Sequence, residues 1–192
     1  MGKIVLSTNA SLDGIVQDPD GKEGWALGGW FDRSLGADRE PWAKMFLAEA
    51  MRSEALLLGR RSEEWFGTRW SSRTGEWADR LNGLPKYVVS QTLAKPAWTN
   101  STVLSGDVAS TVAKLKREIR GEITIYASYQ LVRTLMEHDM LDEIRLVVFP
   151  VVVGAGQRLF GEHGGKNPLR LVDARRLGEG LVSMTYASTR RT

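Results

Sequence analysis

The sequence predicts an α/β fold in which a largely parallel, helix-covered sheet ends in an antiparallel hairpin. Over most of the 192 residues, short apolar segments typical of strands alternate with segments that carry a helical apolar stripe. That alternation favours parallel strands, because each crossover between parallel neighbours leaves room for a helix. Near the end the pattern changes to two strand-like segments joined through Gly178-Glu179-Gly180, which is typical of a hairpin.

The N-terminal segment predicts a strand, a turn and a long loop. Ile4-Val5-Leu6 is a short apolar run that leads into Ser11-Leu12-Asp13-Gly14, where the Asp-Gly pair marks a turn. The segment Asp18–Gly36 is rich in Gly, Asp and Trp and has no clean periodicity, so we expect a loop. Loops of this length are uncommon in compact domains and often functional.

The next segment predicts a helix, a buried strand and a second helix. Pro41 suits a helix start, and the apolar residues Trp42, Met45, Phe46 and Ala50 recur at helical spacing after it. Ala55–Leu58 is a continuous apolar run bounded by Gly59, as in a buried strand. Ser62 is the candidate N-cap of a helix that reaches Phe66.

The remaining elements continue the alternation. We expect strands at Lys86–Ser90, Thr102–Leu104, Ile123–Tyr126 and Glu143–Phe149, and helices at Gly75–Leu81, Val108–Arg120 and Leu131–Met136. Leu169–Arg176 and Leu181–Ser188 are the strands of the terminal hairpin. Because no repeat or linker interrupts the pattern, residues 1–192 are expected to form a single domain.

Composition bounds the function. Lys and Arg number 26 against 23 Asp and Glu, a balance that does not favour a nucleic-acid partner. The chain has no cysteine, and no apolar run approaches the roughly 18–20 residues of a membrane-spanning helix, so we expect a cytoplasmic protein without a membrane partner. His138 and His163 lack the short spacing of a helical metal pair, and no metal site is predicted.

Three strand-to-helix junctions carry residues suited to a phosphorylated ligand, which open parallel sheets bind at the carboxyl ends of their strands. In the first, Gly59 would let a ligand approach the backbone, and the guanidinium groups of Arg60 and Arg61 could bind phosphate beside Ser62. A plain turn with two solvated arginines explains the same residues equally well.

The other two junctions are less specific. Ser90 and Gln91 follow a buried strand and could contact a ribose, although a simple turn is the more ordinary explanation. The small residues Ala127 and Ser128, before Tyr129 and Gln130, would expose amides to a pyrophosphate, but close packing also requires small residues.

Several segments together resemble one family: Ser11–Gly14, Leu58–Arg61, Ile125–Val132, Leu141–Leu146 and Phe149–Phe160. The Asp-Glu-strand-Pro-Val-Val-x-Gly-x-Gly block is the most specific of them. On these segments the chain resembles, over nearly its whole length, the RibD C-terminal domain, the reductase domain of riboflavin biosynthesis, which has a dihydrofolate-reductase-like fold.

The resemblance implies a three-layer α/β/α, dihydrofolate-reductase-like fold, an NADPH cofactor and a homodimer. It assigns Gly59–Ser62 to the loop near the adenosine ribose and its phosphate, Ser90 and Gln91 to further adenosine contacts, and Ala127–Gln130 to the pyrophosphate turn. In that turn the family usually has one or two glycines, where this chain has Ala127 and Ser128. Alanine and serine adopt positive φ less readily than glycine.

The substrate side is defined less sharply. Dihydrofolate reductases carry a carboxylate on the first helix, but the apolar face of the stretch Trp42–Leu47 has none; Glu40 and Glu49 only flank it. Asp13, with Ser11 as its helper, is the candidate for a catalytic contact to the substrate or the nicotinamide. A turn aspartate that caps its own backbone is an equal alternative.

Two functions are compatible with these observations. The first is an NADPH-dependent reductase of a small pterin-like or pyrimidine-like substrate, since hydride transfer needs little from the protein beyond orientation, exclusion of water and a nearby proton source. The second is a non-catalytic, homo-oligomeric protein that binds a dinucleotide or small molecule on the same fold. Cofactor binding and turnover distinguish the two.

Overall fold

The computed structural model describes residues 1–161 and 166–189. Its strands are β1 (Lys3–Ser11), β2 (Ser53–Gly59), β3 (Lys86–Val89), β4 (Ser101–Leu104), β5 (Glu122–Tyr126), β6 (Glu143–Phe149), β7 (Leu169–Leu177) and β8 (Leu181–Ser188). Its helices are α1 (Trp30–Leu35), α2 (Arg39–Arg52), α3 (Arg60–Trp70), α4 (Glu76–Gly83), α5 (Val108–Glu118) and α6 (Tyr129–Glu137). A short 3₁₀ helix, Gly36–Asp38, connects α1 to α2.

The strands form one eight-stranded sheet in the order β4-β3-β2-β5-β1-β6-β8-β7. The neighbours β1 and β5, β5 and β2, β2 and β3, and β3 and β4 are all parallel. Strands β7 and β8 are antiparallel and join through a tight turn. The prediction of a mostly parallel sheet with an antiparallel C-terminal hairpin is therefore confirmed.

Two local predictions were wrong. The second half of the expected loop Asp18–Gly36 is helical, and Trp30 begins α1 with only 3% of its surface exposed. Burial of its indole supplies a reason for helix formation that periodicity did not show. Helix α3 begins at Arg60 with Gly59 as its N-cap, so Ser62 lies in its first turn and is not the N-cap.

The chain divides into two compact units that interleave in sequence. The first unit comprises Met1–Ser7 and Phe46–Glu143, and the second comprises Thr8–Met45 and Ile144–Thr192. Strand β1 and helix α2 each contribute residues to both. The expectation of a single domain over 1–192 stays a prediction.

The parallel strands of the first unit form its core. Leu56, Leu57 and Leu58 are all fully buried, as are Ile123 and Ile125 on the neighbouring strand β5. Successive residues of a strand point to opposite faces, so the burial of a consecutive run shows that both faces of the sheet are covered. The continuous apolar run that predicted β2 has this origin.

A buried lysine is part of the same unit. Lys86 begins β3, is fully buried, and its Nζ donates hydrogen bonds to the carbonyl oxygens of Leu84 (2.8 Å) and Asn82 (3.1 Å). The same nitrogen lies 4.5 Å from the centroid of the Trp98 ring. Desolvation lowers the pKa of Lys86 from 10.5 to about 8, and the carboxylate of Glu63 opposes that shift.

The second unit packs around aromatic side chains. Phe31 contacts Trp42 and Phe149, with ring centroids 5.0 and 5.2 Å apart, and Trp30 packs edge-on against Phe149 at 5.7 Å. The indole nitrogen of Trp42 donates to Oδ1 of Asn9 at 3.0 Å. These contacts fix α1 and the start of α2 against β6.

A carboxylate fastens the β7–β8 turn within this unit. Both oxygens of Asp38 accept backbone hydrogen bonds, one from Glu179 N at 2.6 Å and one from Gly180 N at 2.7 Å. These bonds lower the pKa of Asp38. Gly178 has a φ of +69°, a left-handed conformation that glycine adopts without a steric cost, beside this carboxylate.

Candidate cofactor site

Two neighbouring parallel strands of the first unit each end at the N-terminus of a helix. Strand β2 ends at Gly59, the N-cap of α3, and β5 is followed by Ala127 and then by Ser128, the N-cap of α6. Within the described residues, Gly59 has no side chain that could cap α3, and the side chain of Ser128 accepts no hydrogen bond from α6. Uncapped helix N-termini present backbone N–H groups and a positive dipole end, which suit a phosphate.

Ser128 connects the two helix N-termini. Its Oγ accepts a hydrogen bond from Gly59 N at 3.0 Å, and its own backbone N donates to Oγ of Ser62 at 3.0 Å. Oγ of Ser128 also donates to the carbonyl oxygen of Tyr126 at 3.4 Å. Because the serine is used as both donor and acceptor, the α3 and α6 termini are held as one surface.

The turn between β5 and α6 has a left-handed backbone. Ala127 and Ser128 both have φ of +54°, a conformation that residues with a Cβ adopt at a cost of roughly 1–2 kcal/mol each. This turn therefore keeps the conformation for which glycine is suited, although neither residue is glycine. The hydrogen bonds of Ser128 offset part of that strain.

The end of β3 contributes a third group of polar residues. Nη1 of Arg60 donates to Oγ1 of Thr92 at 2.9 Å, and its Nε lies 3.1 Å from Oε1 of Glu64. Oγ of Ser90 accepts from the backbone nitrogens of Thr92 and Leu93. The structure thus brings the loop after β3 to the guanidinium at the start of α3.

The other predicted cofactor residues also lie just after the carboxyl ends of strands β2, β3 and β5. Arg61 is exposed and lies in the first turn of α3. Gln91 is exposed and its Nε2 donates to the carbonyl oxygen of Gly106 at 2.7 Å, which closes the loop after β3. Tyr129 and Gln130 form the first turn of α6.

The predicted substrate-side residues, Ser11 and Asp13, lie in the second unit and bind each other. Oγ of Ser11 donates to Oδ1 of Asp13 at 2.6 Å, and the same carboxylate accepts from the backbone nitrogens of Val153 (3.1 Å) and Gly154 (2.8 Å). Desolvation raises the pKa of Asp13, but these hydrogen bonds outweigh it and lower the pKa to about 2. Asp13 is therefore an anion at neutral pH that ties its turn to the segment after β6.

A buried carboxylate on α2 was not among the predicted site residues. Glu49 is 5% exposed and its Oε2 accepts from Oγ of Ser7 at 2.5 Å, whereas Glu40 is exposed and pairs with Lys44. Glu49 follows Phe46 by three residues, so the helical stripe that predicted α2 also places Glu49 on its inner face. The three-residue spacing from Phe46 was the sequence signal that could have predicted the burial of Glu49.

Metal and membrane features complete the description. Among the described residues, no group of three or more His, Asp or Glu side chains is placed to hold a metal ion. His138 directly follows α6, and His163 lies outside the described residues. Within residues 1–161 and 166–189, no helix has the length and apolar character needed to cross a membrane.

Comparison with known proteins places the chain in a family. The model of the RibD C-terminal domain matches residues 2–183. The chain belongs to the RibD C-terminal domain family. The uncharacterized protein YyaP of Bacillus subtilis is 24% identical over 189 residues, which are 96% of this chain and 94% of that protein.

Solved structures share the fold of this RibD C-terminal domain protein. A protein of Shewanella sp. PV-4 assigned to riboflavin biosynthesis has a TM-score of 0.77 at 19% identity, covering 98% of this chain and 99% of that one. Dihydrofolate reductase from Enterococcus faecalis, complexed with NADP(H), has a TM-score of 0.59 at 14% identity, covering 98% and 97%. The predicted dihydrofolate-reductase-like fold is confirmed.

Proposed function

We propose that this protein is an NADPH-dependent reductase of a small pterin-like or pyrimidine-like heterocycle. Membership of the RibD C-terminal domain family and the fold shared with an NADP(H)-bound dihydrofolate reductase support this proposal. The single observation that carries it is the surface made by the α3 and α6 N-termini, joined by Ser128 and flanked by Arg60 and Arg61.

The donor set of that surface fits a phosphorylated dinucleotide. Amides at two adjacent helix N-termini suit the paired anionic groups of a pyrophosphate, and guanidinium groups suit a 2′-phosphate because they donate two parallel hydrogen bonds. In this assignment Ala127–Gln130 face the pyrophosphate, while Gly59, Arg60, Arg61, Ser62, Ser90 and Gln91 serve the adenosine side.

Bound NADPH would supply the hydride for the reaction. The protein's part is to orient the cofactor, and Ser128 does so by holding α3 and α6 in one arrangement. Asp13 and Ser11 remain the candidates for the substrate-side contact. Since its pKa is about 2, Asp13 would act there as a hydrogen-bond acceptor and not as a proton donor near neutral pH.

Calorimetric titration with NADPH and NADH tests the cofactor assignment. The Arg61→Ala variant should bind NADPH roughly tenfold to a hundredfold more weakly, because a hydrogen bond to a charged group contributes about 1.5–3 kcal/mol, while its NADH affinity changes little. Arg69→Ala is the matched control, since Arg69 lies at the opposite end of α3 and stacks on Trp65. Absence of heat with both coenzymes would contradict the proposal.

The alternative function is a non-catalytic binding protein on the same fold. The observation that favours it is the engaged state of Asp13, whose carboxylate already accepts three hydrogen bonds within its own unit. A panel of pterins and aminopyrimidines, assayed by loss of NADPH absorbance, separates the two functions. NADPH binding without turnover of any compound would support the alternative.

A further inference from the structure

The loop between β3 and β4 (residues 90–100, the β3–β4 loop) is held against one stripe of helix α3. Arg60, Glu63 and Gly67 recur at helical spacing, so they lie one above another on the same side of α3. Arg60 contacts the start of the loop, and the other two residues contact its end at Trp98. The helix that carries the candidate phosphate-binding arginines therefore also fixes both ends of the loop on the adenosine side.

Glu63 contacts the end of the loop through a buried hydrogen bond. Its Oε1 accepts from the backbone nitrogen of Trp98 at 2.6 Å, and the residue is fully buried. Its Oε2 is also buried and has no hydrogen-bond partner within the described residues. The positive charge of Lys86 on β3 interacts with this carboxylate. The one hydrogen bond of the carboxylate is thus spent on the position of the Trp98 backbone.

Trp98 is fixed on several sides and forms a rigid anchor for the end of the loop. Its ring stacks on Phe66, with centroids 5.5 Å apart and planes inclined by 9°. Its Nε1 donates to Oδ1 of Asn82 at 2.6 Å. A Cβ at Gly67 would lie 2.8 Å from the Trp98 nitrogen, so this approach of the loop to the helix requires glycine.

Stability alone gives no reason for a carboxylate at position 63. Burial of a charge costs free energy, and exchange of a buried pair of opposite charges for apolar residues of similar volume is often neutral or stabilising. A carboxylate oxygen does supply a directional acceptor for the Trp98 amide, which an apolar side chain cannot. The contribution specific to Glu63 is therefore the placement of the β3–β4 loop on α3.

We infer that Glu63 is a positioning residue that gives this protein its preference for a 2′-phosphorylated coenzyme over the unphosphorylated one. By holding Trp98, it keeps the β3–β4 loop where Thr92 meets the Arg60 guanidinium, beside the assigned site of the 2′-phosphate. Because Glu63 is fully buried, it acts through the loop and not by contact with the coenzyme. The inference rests on the proposed binding of NADPH.

Calorimetric titration with NADPH and with NADH tests this role. Glu63→Leu removes the acceptor, and the ratio of the NADH to the NADPH dissociation constant should fall roughly tenfold, the equivalent of about one hydrogen bond to a charged group. Glu63→Gln keeps an acceptor for the Trp98 amide and should retain most of the wild-type ratio. Glu76→Gln, on the exposed first turn of α4, is the matched control and should leave the ratio unchanged.

A second variant keeps the test valid if Glu63→Leu folds poorly. Glu63→Leu/Lys86→Met removes both buried charges, so neither is left without its partner. It still lacks the acceptor and should show the same fall in the ratio, with circular dichroism showing that it is folded. Without coenzyme, hydrogen exchange at the amides of residues 92–98 should be faster in both leucine variants than in Glu63→Gln.

The outcomes distinguish this inference from the proposed function. A wild type that binds neither coenzyme overturns both. If the wild type prefers NADPH and both leucine variants keep that preference, the inference alone is overturned. Equal losses of affinity for the two coenzymes also overturn it, because a merely structural role of Glu63 would have that effect. Unchanged exchange at the loop amides would show that Glu63 does not hold the loop, and overturns it as well.

Discussion

In the left-handed turn before α6, we expect glycine substitutions at two adjacent residues to change the free energy of unfolding in opposite directions. Ala127→Gly removes the strain of the left-handed backbone, roughly 1–2 kcal/mol. It also destabilises the fold by roughly 0.5–1 kcal/mol, because glycine loses more conformational freedom on folding than alanine does. Ser128 makes the hydrogen bonds from this turn to Gly59 and Ser62, whereas the side chain of Ala127 is a methyl group that makes none. We therefore expect Ala127→Gly to raise the free energy of unfolding by roughly 0.5–1 kcal/mol.

Ser128→Gly relieves a similar strain and loses the hydroxyl. Gly59 N then has no acceptor, and an unsatisfied, partly buried donor costs about 1–3 kcal/mol. The backbone hydrogen bond from residue 128 to Ser62 is retained in Ser128→Gly. The difference in stability between Ser128→Gly and Ala127→Gly therefore reports the contribution of the Ser128 hydroxyl. We expect a net loss of roughly 0.5–2 kcal/mol, and a larger loss for Ser128→Ala, which keeps the strain.

Urea denaturation followed by circular dichroism measures these differences, provided that the slope of unfolding free energy against urea stays constant. The expected order of stability is Ala127→Gly, wild type, Ser128→Gly and then Ser128→Ala. If Ser128→Gly were as stabilising as Ala127→Gly, the hydroxyl would contribute nothing, and the account of Ser128 as the connection between α3 and α6 would be refuted.

Three further predictions concern carboxylates and the buried lysine. The stability of the wild type relative to Lys86→Met should rise by about 3 kcal/mol between pH 8 and pH 10.5, because the folded state loses its proton first; parallel pH profiles would contradict this. Asp13→Ala should be less stable than the wild type above pH 3.8, and the difference should shrink as the pH falls toward about 2, since protonation of Asp13 weakens its bonds to Val153 and Gly154. Asp38→Ala should speed hydrogen exchange at the amides of the β7–β8 turn, with Asp38→Asn between it and the wild type; equal exchange rates in all three proteins would count against the Asp38 contacts.

Local patterns predicted the elements well wherever burial repeats along the chain. The run Ala55–Leu58 and the segment Glu143–Phe149 became strands within two residues of their expected bounds, because apolar continuity reflects coverage of both faces. The α1 helix was missed because its reason to form is the burial of Trp30 against Phe149, a residue distant in sequence. The helical spacing of Glu49 from Phe46 was a local signal of its burial, but its hydrogen-bond partner Ser7 lies 42 positions away and no local pattern pointed to that contact.

The sequence by itself determined the alternation of strands and helices, the hairpin at the end, and the residue types gathered after β2, β3 and β5. Only the tertiary structure decided that Ser128 would bind Gly59 across 69 positions, that Ala127 and Ser128 would adopt positive φ, and that β7 would be left as an exposed edge. Periodicity records which face of an element is buried, whereas hydrogen bonds between distant residues depend on which elements become neighbours. That choice is made by packing of the whole chain, and a local window of residues does not contain it.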